Sequence, residues 1–177
     1  MTKKEDFLKL LLATFPPQPM PAQFFWKQDR HHNSYEFRQD LLEWLAERQW
    51  TDIKMHNWAM AGSAIITREL LEPATFLYYL PSLLLGVIED PGYLDWALEA
   101  IIPSGRDRRL KSKWWGELLE TISPNQTATI RAFLALVRSD LLPFDREPFV
   151  ISPEEVHTSE VETFWDTHPS STSRAKQ

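Results

Sequence analysis

The stretch Pro73-Ala74-Thr75-Phe76-Leu77-Tyr78-Tyr79-Leu80-Pro81-Ser82-Leu83-Leu84-Leu85-Gly86-Val87-Ile88-Glu89 decides how the rest of the chain is read. Phe76 to Leu80 and Leu83 to Leu85 leave it without a polar face, and a helix that is apolar all round belongs in the middle of a packed assembly. The apolar run 74–88 is shorter than the roughly 20 residues that cross a bilayer, so it predicts a core helix rather than a membrane span. Pro81 lacks a backbone donor and its ring meets the carbonyl four residues back. That predicts a kink at Leu77 or a break just before Pro81.

Outward from this centre, the helix starts are written in serines and prolines. Ser123-Pro124-Asn125-Gln126 and Ser152-Pro153-Glu154-Glu155 are capping boxes, in which the serine oxygen takes an orphan amide and the third residue reaches back to the cap. Pro91 after Asp90 and Glu36 after Asn33-Ser34-Tyr35 mark two more starts. Helices are predicted over 4–15, 34–49, 54–67, 73–89, 91–102, 108–122, 124–141 and 153–165. Ile130, Phe133, Leu134, Val137 and Leu141 form an apolar stripe at helical spacing, as do Leu110, Trp114, Leu118 and Ile122, and Phe37, Leu41, Trp44 and Leu45. Two connections stand apart. Residues 16–33 hold four prolines in their first six positions and predict an extended path with Phe24, Phe25 and Trp26 pinned to the body. Residues 143–151 predict an extended piece with a short strand around Phe149-Val150-Ile151.

Composition agrees with this class. Only 5 of 177 residues are glycine, too few to supply many tight hairpin turns. The expected fold is all-α: one compact domain of seven or eight helices over residues 1–168, with a long Pro-rich N-terminal loop and a flexible tail at 169–177. Cysteine is absent, which excludes disulfides, thiolate metal sites and a cysteine nucleophile. The net charge of −6 disfavours a whole-domain attraction to nucleic acid or anionic lipid. Lys3 and Lys4 precede an apolar stretch, but Glu5, Asp6 and Lys9 interrupt it, so the N-terminus reads as an amphipathic helix rather than a secretion signal. A cytoplasmic, bacterial protein is the expectation.

Leu71-Glu72-Pro73-Ala74-Thr75-Phe76-Leu77-Tyr78-Tyr79-Leu80-Pro81-Ser82-Leu83, followed by Ser123-Pro124-Asn125-Gln126 and Ile130-Arg131-Ala132-Phe133-Leu134, resembles a family of small bacterial proteins of unknown function. That family's pattern runs from a Pro-rich segment through Pro-Ala-x-Phe-x-Tyr-Tyr-Leu-Pro to a Ser/Thr-Pro-x-Gln helix ending in Phe-Leu, and the order agrees over roughly residues 5–140. Thr75 and Ser82 depart from it. The resemblance implies a single helical domain and carries over no catalytic residue.

Candidate chemistry is sparse. Asp52 and His56 sit at i, i+4, a spacing that helical metal ligands use, and His31-His32 follow Asp29; neither comes with an HExxH or Glu-x-x-His arrangement. No nucleophile elbow, Walker loop or dinucleotide fingerprint is present. Neither a catalytic residue, a cofactor nor a metal ligand is therefore assigned. Arg106 to Lys113 carries five cations in eight residues beside Trp114 and Trp115, a combination that can bind nucleic acid but is read as a solvated helix face. Among eight tryptophans, Trp44, Trp96, Trp114 and Trp115 belong to stripes and predict core. Trp26 and Trp58 do not, and with Phe24, Phe25 and Tyr35 they are candidates for a partner-binding aromatic surface. The resulting expectation is a non-catalytic protein that binds a basic protein partner, as an immunity or antitoxin-like factor binds a toxin, or that self-associates. The alternative is an enzyme, or a small-ligand or metal-binding protein, with a polar pocket near His31, His32 and His56.

Overall fold

The computed structural model describes residues 3–27, 35–104, 112–142 and 151–168. Among these, nine α-helices follow one another: α1 (Lys3–Thr14), α2 (Tyr35–Trp44), α3 (Met55–Ala61), α4 (Ala64–Leu70), α5 (Pro73–Glu89), α6 (Leu94–Ala100), α7 (Lys113–Thr121), α8 (Pro124–Leu136) and α9 (Pro153–Thr167). Short 3-10 turns at Trp50–Asp52 and Pro91–Tyr93 join them, and α8 ends in a π turn at Val137–Leu141. No helix among the described residues is long and apolar enough to cross a membrane.

Helix α5 is the axis, with 13 of its 17 residues buried. It touches α1, α3, α6 and α7 and the 3-10 turn at Trp50, while α8 packs on α1 and α9, α6 on α4 and α9, and α2 on α3 and α4. The break expected at Pro81 does not occur, and α5 runs through it. Pro81 is buried, and the next residue ties the region together: Ser82 Oγ donates to Tyr79 O (2.6 Å) and accepts the Trp58 indole N–H (2.9 Å). Packing on every side holds the turn that proline alone would open.

The helix expected over 54–67 is two helices. Gly62 has φ 125° and ψ −161°, a backbone region open in practice to glycine alone, and Ser63 restarts the chain in an extended conformation ahead of α4. Helix α2 stops at Trp44 rather than 49, and Glu47 then takes the left-handed conformation (φ 61°) that turns the chain toward Trp50. Helix α7 starts at Lys113 behind the Ser112 cap; residues 105–111 lie outside the described residues. Both capping boxes form, at Ser123/Gln126 and Ser152/Glu155. Of the expected strand near 149–151 only Ile151 is described, exposed and outside any strand; the tail 169–177 lies outside too.

Glycines report how closely helices approach. A methyl at Gly86 would meet the Met55 backbone, with Cα and N at 3.3 Å, whereas one at Gly116 would meet nothing within 4 Å. Gly116→Ala is therefore expected to stabilise by about 0.5–1 kcal/mol through helix propensity. Gly86→Ala should destabilise by about 1–3 kcal/mol through overpacking. Urea unfolding of both variants checks the opposite signs.

Candidate functional site

The segment from Gln23 to Lys27 lies extended against Leu70–Glu72, the bend between α4 and α5. Trp26 N–H donates to Leu70 O (2.9 Å) and Glu72 N–H to Phe24 O (3.0 Å), so Phe25 faces Leu71 in a single antiparallel bridge. The pinning expected for Phe24, Phe25 and Trp26 is realised here. Side chains reinforce it: Gln23 Nε2 donates to Phe25 O and to Glu72 Oε2, both at 3.0 Å, and the Thr75 hydroxyl donates to Gln23 O. From beneath, the Trp114 indole donates to Leu71 O (2.8 Å).

Phe24 sits edge-on to Phe25 (4.9 Å) and to Tyr79 (6.2 Å). The Arg38 guanidinium of α2 stands 4.5 Å above the Phe25 ring, a cation–π contact, and Trp26 Nε1 donates to Glu117 Oε2 of α7 at 2.8 Å. Phe24, Phe25 and Trp26 are all half-buried. Tyr35 is 74% exposed and lies one turn before Arg38 on the same face of α2. Phe24, Phe25 and Trp26, three of the five aromatic residues singled out in the sequence, are thus held in one short segment, and Tyr35 lies on α2, the helix that supplies Arg38.

Trp58 is the exception and a correction. It has 0% exposure, packs against Phe76 and Trp96, and donates to Ser82, so it offers a partner no surface. Its stripe, Met55, Trp58 and Ala61, recurs at helical spacing within α3 and was there to be read. Of the tryptophans expected in the core, Trp114 and Trp115 are fully buried, while Trp44 and Trp96 are half-buried against it.

Glu72 and Glu117 complete the site, and neither was singled out by the sequence. Burial raises the carboxyl pKa of Glu72 above the ordinary glutamate value, the negative charge of Glu117 raises it further, and Lys27 opposes both. A surface with two aromatic rings and two neighbouring carboxylates is chemically suited to a cationic, partly apolar counterpart. The only local hint was position: Glu72 immediately precedes the proline that opens α5.

The other candidates are not assembled. Asp52 lies in a 3-10 turn and His56 in α3, with Ile53 extended between them, so the two share no helical face. His56 is exposed and meets the Trp44 ring edge-on at 5.5 Å. His31 and His32 lie outside the described residues, among which no group of three or more His, Asp or Glu is arranged to hold a metal ion. Of the cations in the basic run only Lys113 is described, and it is exposed; the two adjacent indoles face inward, where Arg68 stands 5.8 Å from the Trp114 ring and 5.1 Å from that of Trp115. They are thus withdrawn from any base stacking.

No curated protein and no solved structure matches the chain. A family pattern does match, over nearly the whole helical body, residues 3–168. A family without an assigned activity is what the resemblance implied, and the match shows which one: the chain belongs to the Family of unknown function (DUF6714).

Proposed function

We propose that this is a non-catalytic, cytoplasmic protein-binding module of bacteria that engages a basic protein partner, in the manner of an immunity or antitoxin-like factor. The observation that supports the reading best is the extended segment Phe24-Phe25-Trp26, held at the surface beside the Glu72 and Glu117 carboxylates. Aromatic rings supply contact area at low entropic cost, and the carboxylates select for lysine or arginine. The net charge of −6 adds long-range attraction and speeds encounter with such a partner.

The test is co-purification with the products of neighbouring genes, followed by binding kinetics of the wild type and Glu72→Gln/Glu117→Gln against the protein recovered. The double variant is expected to bind about tenfold more weakly and to lose most of the salt dependence of the association rate. An unchanged affinity and salt slope would remove this face from the interface. Failure to recover any complex, with no protection of the host against a neighbouring toxin, would remove the function.

A further inference from the structure

The extended segment at Phe25 is held on both faces and along one edge, and its other edge pairs with nothing among the described residues. In a paired extended chain, the N–H and C=O of one residue point to one edge and those of its neighbours to the opposite edge. Trp26 N–H and Phe24 O point to Leu70 and Glu72, so Phe25 N–H and O point outward. Side chains alternate between the faces. Phe25 lies under Arg38 of α2, whereas Phe24 meets Tyr79 of α5 and Trp26 meets Glu117 of α7. On the outer edge, Phe25 O accepts from Gln23 Nε2 and keeps its second lone pair, while Phe25 N–H donates to no described residue. An unpaired amide at the margin of an extended segment is a place where another chain can add. Lys27, exposed, closes the segment, and lysine is a residue that keeps such edges from recruiting copies of their own chain.

We propose that the protein partner docks here by strand addition: one residue of an extended partner segment exchanges both backbone hydrogen bonds with Phe25. The inference rests on the reading that this face binds a basic protein, and it names the form and the pattern of the bound segment. Charge complementarity sets the pattern. A residue directly opposite Phe25 turns its side chain to the Arg38 face, where a further cation is repelled. The residues on either side of it turn theirs to the Trp26 face, where the Glu117 carboxylate stands. The segment that fits is therefore basic, apolar and basic in succession. A basic amphipathic helix closes its backbone bonds on itself and leaves Phe25 N–H without an acceptor.

The test uses the full-length chain, first alone and then with a probe. In the free protein, amide exchange compares neighbours, each corrected for its intrinsic rate. Trp26 N–H, bonded to Leu70 O, should exchange about tenfold more slowly than Phe25 N–H, or more slowly still. Equal protection of the two would show the outer edge closed and overturn the proposal. The probe is a blocked synthetic peptide, Lys-Val-Lys-Val-Lys, followed by backbone amide shifts and exchange; its N-methylvaline form and Glu-Val-Glu-Val-Glu are the controls. Binding with a Kd of about 1 mM or tighter is expected, with the Phe25 amide shifted and newly protected. N-methylation removes the N–H offered to Phe25 O and should weaken binding about tenfold, and the acidic peptide should not bind. Absence of binding, binding that leaves Phe25 exchange unchanged, or binding indifferent to N-methylation would each overturn strand addition. The basic-partner reading falls separately, on the Glu72→Gln/Glu117→Gln variant and the co-purification above.

Discussion

Arg68→Ala is expected to cost about 3–5 kcal/mol and to lower the thermal midpoint by roughly 10 °C, because it removes a buried charge around which several other groups are arranged. The Arg68 side chain has 0% exposure. One terminal nitrogen, Nη1, donates to Glu99 O and Ile102 O, both at 2.8 Å, with Ala100 O at 3.4 Å; the other, Nη2, donates to Glu69 Oε1 (3.0 Å) and Ser104 Oγ (2.9 Å). Those carbonyls belong to the end of α6 and the turn beyond it, where a helix leaves acceptors without partners and where its dipole favours a cation. The guanidinium carbon also stands over the Trp115 and Trp114 rings, at 5.1 and 5.8 Å from their centroids. Arg68→Lys should recover only part of the loss, since an ammonium is a point donor and cannot serve both groups of acceptors at once. Thermal and urea unfolding check both variants. A midpoint for Arg68→Ala within about 2 °C of wild type, well under the shift a loss of this size produces, would show that the carbonyls find other donors.

Trp58→Ala should be nearly as severe, at about 3–5 kcal/mol, through the cavity left by a fully buried indole. Trp58→Phe retains much of the ring and loses the N–H donated to Ser82, which places its cost nearer about 1 kcal/mol plus whatever volume remains unfilled. This pair separates two readings of one residue. Were Trp58 part of a binding face, its truncation would leave the fold intact and abolish an interaction. The structure instead predicts loss of cooperative unfolding stability, read by denaturation with no partner present.

The buried reading was open to the sequence, because Met55, Trp58 and Ala61 recur at helical spacing, and these three fall on the inner face of α3. The break at Gly62 is a separate matter, and its signal was the Gly62-Ser63 pair, a helix stop followed by a helix start. The helix expected over 73–89 stands at those bounds, and of the two outcomes expected at Pro81 the break is absent. A proline within a helical pattern is a local reason to stop, but in α5 the neighbours that enclose the chain outweigh it, and only the packed structure shows them.

What the chain's local chemistry determined by itself was the helical class, the capped starts at Ser123 and Ser152 and the enclosure of α5. These depend on residues within about one turn of each other, so periodicity and capping record them directly. The tertiary structure alone decided that Glu117 stands beside Glu72, that Arg68 closes the end of α6, and that His157 enters between Asp95 and Glu99. Each of these joins residues tens of positions apart, brought together by how helices dock. Docking follows from the volumes and angles of whole faces, which no short window of sequence contains.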